Sequence, residues 1–119
     1  MIRCVENDSM QHFGNNANVT SSASQYHCNS GGTAIVGTTS VGTATSEFHN
    51  CTVERTPESI KFFIVEELIY PSFVNSADNP LNSDFFFILK VAMDDTLGGT
   101  IGFACTEDTM EIDYISVCQ

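Results

Sequence analysis

Two short stretches set a histidine beside a cysteine, Tyr26-His27-Cys28 and His49-Asn50-Cys51. Imidazole and thiolate are common zinc donors, so His27, Cys28, His49 and Cys51 are a candidate Cys2His2 set. Spacing argues against it. His49 and Cys51 lie two apart and would share one face of a strand, whereas adjacent His27 and Cys28 would point to opposite faces. The five cysteines, at 4, 28, 51, 105 and 118, include no Cys-x-x-Cys pair. That dispersal disfavours zinc knuckles and thioredoxin-type redox sites and suits long-range disulfides. Cys28 and Cys51 bracket a small-residue segment and make one expected bond. Cys4 and Cys118 make the other, and Cys105 is left as a free thiol, expected to be buried among Ile101, Phe103 and Met110. This pairing is one of about fifteen that five cysteines allow. Each bond would contribute about 3 to 5 kcal/mol by restricting the unfolded chain.

Other chemistry finds less support. There is no Gly-x-Ser-x-Gly motif, and Gly31-Gly32-Thr33 lacks the strand-to-helix setting of a phosphate loop. Glu107, Asp108, Glu111 and Asp113 form a weak calcium candidate, because calcium takes about six to eight oxygens and these supply few. No cofactor and no catalytic residue is expected, and the chain reads as a non-enzyme.

Charge narrows the partners. Arg3, Arg55, Lys61 and Lys90 face fifteen carboxylates, for a formal net charge of -11. Such a surface repels phosphate backbones and anionic headgroups, so nucleic acid is excluded as a partner. No apolar run reaches the ~20 residues of a membrane-spanning helix, so membrane insertion is not expected. Two sequons, at Asn18 and Asn50, agree with the cysteine pattern in pointing to a secreted glycoprotein. The opening residues 1–8 hold no apolar core of the signal-peptide kind, so that reading requires a leader already removed.

The elements that must position these residues read as strands. At 119 residues, one domain spanning 1–119 is the natural unit. Residues 7–47 are rich in Ser, Thr, Asn and Gly and read as a loop-rich β region. Residues 48–119 are denser in apolar side chains and read as the sheet core. Thr56-Pro57-Glu58-Ser59 is either a turn between strands or the start of a helix, and Ile60–Val65 favours a strand. Pro71–Ser83 reads as a polar loop. Asp84–Met93 is apolar on both faces, as suits a central strand. Residues 100–106 and 109–117 read as a hairpin turning at Glu107-Asp108, which would place Cys105 beside the turn and Cys118 about 25 Å away. A disulfide spans at most ~7 Å between Cα atoms, so those two should not pair.

The pattern predicts an all-β fold, a disulfide-stabilised antiparallel β-sandwich. The alternative is α+β, with one helix near 57–69 packed on an antiparallel sheet. The expected function is that of a secreted or surface-exposed binding module that recognises a protein or glycan, of the kind a small secreted pathogen factor uses on a host. Its contacts would come from Tyr26, Tyr70 and Phe73, on the loop 72–83 and the small-residue region. A structural subunit of an extracellular or viral assembly, with homo-oligomers, is the second reading. A small hydrolase or metal-dependent enzyme is the third.

Overall fold

The computed structural model describes residues 5–26, 33–74, 82–93 and 96–118. Among these the chain is all-β apart from a single 3-10 turn at Gly14–Asn16, with six strands in two antiparallel three-stranded sheets. β1 (Val5–His12), β2 (Val19–Tyr26) and β3 (Thr33–Ser40) form the first sheet in that order. β4 (Cys51–Arg55), β5 (Ser59–Ile64) and β6 (Glu67–Val74) form the second.

The small-residue region is thus a regular sheet. Its middle strand explains why it needs small residues. Thr20, Ser21, Ser22, Ala23 and Ser24 are all buried, and a buried hydroxyl must find an acceptor. A β-bulge between Asp8 and Gln11 interrupts the β1–β2 ladder and frees backbone carbonyls there. The Ser22 hydroxyl donates to the Ser9 carbonyl at 2.7 Å, inside that bulge, and the Ser24 hydroxyl donates to Asn7 Oδ1 at 2.9 Å. Bulge and serines therefore complete each other. Asp8 Oδ2, beside the bulge, accepts from both Gln11 and Gln25 side-chain amides at 3.0 Å.

The second sheet supplies the apolar packing. Along β5 burial alternates, with Ile60, Phe62 and Ile64 buried and Ser59, Lys61 and Phe63 half-exposed. Ile60 and Phe62 form the core cluster, and Ile35 of β3 packs against them from the first sheet. Thr39 of β3 also donates to Glu67 Oε2 of β6 at 2.8 Å, across the same gap. Truncating a buried aromatic such as Phe62 would cost about 3 to 5 kcal/mol.

The helix alternative over 57–69 is overturned, because β-branched and aromatic side chains at alternating positions take the strand geometry. Thr56 still caps, but caps a turn: its hydroxyl accepts from the Ser59 N–H at 3.1 Å, and the Thr56 N–H donates to the Ser59 carbonyl at 2.8 Å. The expected loop over 71–83 begins later than the sequence suggests, since β6 runs on to Val74. Pro71 is tolerated there because β6 is an edge strand with one side of its backbone unpaired.

The largest departure lies beyond residue 82. The expected strand 84–93 and the expected hairpin over 100–117 are not strands; both stretches belong to no sheet. Without that hairpin, the distance argument separating Cys105 from Cys118 loses its basis. Side chains apolar on both faces need partners on both faces, and among the described residues the two three-stranded sheets do not provide them.

The β5–β6 turn carries a local conflict. Val65 and Glu66, the two residues between paired Ile64 and Glu67, have φ of 51° and 64°. Hairpins of this length favour two left-handed residues, but such positions suit Asn-Gly and penalise a β-branched side chain. Replacing Val65→Asn together with Glu66→Gly is expected to stabilise the protein by about 1 to 2 kcal/mol, read as a higher urea midpoint with an unchanged slope.

Candidate functional site

The residues expected to act are dispersed. Tyr26 ends β2, and Tyr70 and Phe73 lie in β6, in the other sheet. Cys4, His27 and Cys28 lie outside the described residues, as does most of the loop 72–83. Cys51, Cys105 and Cys118 are exposed and unbonded. For Cys105 this corrects the expected burial among Ile101, Phe103 and Met110: its neighbours run along an exposed segment, and its thiol meets only the nearby Glu107 carbonyl, at 3.7 Å.

Of the candidate zinc set only His49 and Cys51 are described, His27 and Cys28 lying outside the described residues. The His49 Nε2 is engaged with the Thr43 hydroxyl at 3.0 Å. Glu107, Asp108, Glu111 and Asp113 are all exposed. Among the described residues, no group of three or more His, Cys, Asp or Glu side chains could hold a metal ion. Both sequon residues, Asn18 and Asn50, are exposed. The Tyr114 hydroxyl donates to Asn50 Oδ1 at 3.2 Å; a glycan would attach through the amide nitrogen, which this contact leaves untouched.

Cys51 differs from an ordinary thiol. Much of the residue is accessible at the start of edge strand β4, yet protein packed beside it desolvates the thiolate and raises the pKa. A raised thiol pKa means the folded chain holds this proton more tightly than the unfolded one. The contribution to stability is complete below the ordinary thiol value, about 8.5, and is lost as pH rises through the raised one. In the reduced chain at pH 8, Cys51 is expected to alkylate more slowly when folded than in 8 M urea. Site-resolved mass spectrometry of iodoacetamide adducts measures this.

What the structure does gather is apolar surface. Among the described residues, Ala23, Val41, Ile60, Phe62 and Ile64 are the buried hydrophobic ones, whereas twenty large hydrophobic residues are exposed, fourteen of them from Phe85 onward. Phe86 is 82 % exposed and Ile88 71 %. Isolated exposed side chains are ordinary; a contiguous run such as Phe85-Phe86-Phe87-Ile88-Leu89 is not.

The run is tethered at its ends. Arg55, the last residue of β4, donates from Nη1 to the Ser83 carbonyl at 2.8 Å, and its guanidinium lies 5.3 Å from the centre of the Phe85 ring. Farther on, Asn15 donates from its backbone N–H to the Leu97 carbonyl and from its side chain to the Thr96 carbonyl, both at 3.4 Å. Gly14 permits this approach, since a Cβ there would collide with the Gly98 carbonyl oxygen. Gly99 turns the chain with φ of 84°. Arg55 and Gly14 carry no local signal of these roles. The two-sided apolar pattern of 84–93, by contrast, was legible.

Comparison with family models, with curated proteins and with solved structures finds no match, so the functional reading rests on the chemistry of this chain.

Proposed function

We propose that this protein is a non-catalytic interaction module, secreted or displayed outside the cell, that engages a protein surface through the extended segment 84–93. One observation carries the proposal: the densest apolar stretch of the chain lies in water. The exposed groups there are aliphatic and aromatic, with Lys90 alone charged within Phe85–Met93. A surface of that kind suits the apolar centre of a protein interface better than a glycan, which calls for hydrogen-bonding groups around its stacking rings.

The surface area supports the same reading. The chain exposes 8793 Å², whereas a compact monomer of 13.0 kDa exposes about 6,300 Å². Its radius of gyration is 15.4 Å, against about 13.5 Å for a compact chain of this length. The excess over the whole chain is roughly 2,500 Å², against about 800 Å² that one partner contributes to a standard interface. It also favours the second reading, a subunit of an extracellular or viral assembly, in which neighbours cover such surface.

The sheet pair is proposed to be a β-sandwich, supported by Ile35 packing on Ile60 and Phe62 and by the Thr39–Glu67 hydrogen bond. Disulfides Cys28–Cys51 and Cys4–Cys118 would staple it. Intact mass after thiol alkylation, with and without reduction, is expected to show two disulfides and one alkylated thiol at Cys105 on protein from its native source. Five alkylated thiols would remove the support for secretion.

Limited chymotrypsin digestion of the dilute chain tests the interaction surface. Cleavage is expected first at Phe85, Phe86 or Phe87, well before any cut at Phe62 in β5. Resistance of 84–93 in a dilute monomer would mean that the chain covers this segment itself, and the reading would fall.

A further inference from the structure

We infer that this chain is a substrate for peptidases of trypsin-like specificity, cut at the Lys90–Val91 bond. The cleavage site shares the exposure of 84–93 with the proposed interaction surface but needs no partner on it.

The chemistry begins with a scarce side chain. Peptidases of this class seat a lysine or arginine against a carboxylate in a specificity pocket. The chain holds four such residues, Arg3, Arg55, Lys61 and Lys90, of which the last three are described. Cleavage also needs free backbone. The enzyme pairs with its substrate as an extended strand around the bond, and a segment already in a sheet cannot offer that until its ladder opens.

Lys90 meets both requirements. Residues 84–93 belong to no strand or helix, and among the described residues their backbone makes no hydrogen bond to another backbone group. Every residue from Phe87 to Met93 is exposed. Among the described residues no ion pair or hydrogen bond engages the Lys90 ammonium, so nothing there holds it back from a pocket. No carboxylate lies within three residues of Lys90 on either side, in a chain that carries fifteen. Carboxylates beside the bond would be repelled by the pocket's own.

Arg55 and Lys61 fail these requirements. Arg55 closes β4, paired with Ile60. Its Nη1 donates to the Ser83 carbonyl at 2.8 Å, and its guanidinium covers the Phe85 ring. Glu54 precedes it, and Pro57 follows two residues on, where the ring removes a backbone N–H. Lys61 sits in β5, the central strand of its sheet, bonded to β4 and β6, and its Nζ pairs with Glu54 at 3.0 Å.

In the hydrolysis, water supplies a hydroxyl to the Lys90 carbonyl carbon and a proton to the Val91 nitrogen as the C–N bond breaks. The new carboxyl then gives up its proton and the new amine takes one up. The products are 1–90, ending in a carboxylate, and 91–119, beginning with an ammonium. Both charges fall inside the apolar stretch, where burial is costly, so the cut works against contacts made through 84–93.

Trypsin digestion of the full-length chain, followed by intact-mass spectrometry, tests this. The cut after Lys90 is expected ahead of those after Arg55 and Lys61. In Lys90→Gln the span 4–119 should survive at least about 10-fold longer, since the remaining sites are released only when a sheet opens. Lys90→Arg should be cut as the wild type is, because the pocket accepts either cation. Chymotrypsin should still cut Lys90→Gln at Phe85, Phe86 or Phe87, a sign that the segment is unchanged.

Other outcomes separate the two proposals. A cut after Arg55 or Lys61 ahead of Lys90 overturns the inference, and so does a Lys90→Gln chain whose span 4–119 is digested as fast as in the wild type. If trypsin spares Lys90 while chymotrypsin cuts at Phe85, Phe86 or Phe87, the inference falls and the interaction surface stands. If neither enzyme cuts within 84–93, both fall.

Discussion

The fold depends on the contact between its two sheets, in which, among the described residues, Ile35 of one meets Ile60 and Phe62 of the other. A three-stranded sheet presents two faces to water and is stable only when one is covered. Among the described residues that cover is small. The first sheet contributes Ser, Thr and Ala from its central strand, side chains with little apolar area to bury. The second must therefore provide the large groups, and the alternation along β5 directs Ile60, Phe62 and Ile64 to one side.

That division of labour accounts for the polar interior of the first sheet. Serines packed on both sides of a strand are costly unless each hydroxyl is satisfied. The bulge in β1 releases the Ser9 carbonyl that Ser22 needs, so a break in the ladder stabilises an otherwise unfavourable strand. An alanine at position 22 would leave that carbonyl without this donor, although the change looks conservative by size.

A small core has a consequence at the other end of the chain. Hydrophobic residues that the two sheets do not cover remain in water, and contacts that tether this part of the chain include those of Arg55 and Asn15, the Tyr114–Asn50 hydrogen bond and the close approach of Gly14 to Gly98. Such tethers fix a path without removing much apolar surface. Lys61 and Glu54, 3.0 Å apart across β4 and β5, illustrate the limit of polar contacts at a surface: exposed pairs of this kind contribute at most about 1 kcal/mol.

Local chemistry made the all-β class legible. β-branched and aromatic residues at alternating positions specify Ser59–Ile64 as a strand, and Thr56-Pro57 announces the turn before it. The two-sided apolar pattern of 84–93 was equally plain, and so was the requirement that something cover it. That this stretch joins neither sheet was not legible, because a strand's partner is chosen by register and by open edges far away in sequence. The burial of the serines within the loop-rich β region was not legible for the same reason: their acceptors, Ser9 and Asn7, lie thirteen and seventeen residues away. By itself the sequence determined which segments can be strands and that the surface is acidic. Only the tertiary structure decided which strands found partners, since pairing requires an edge, a register and a covered face at once, and no local pattern encodes all three.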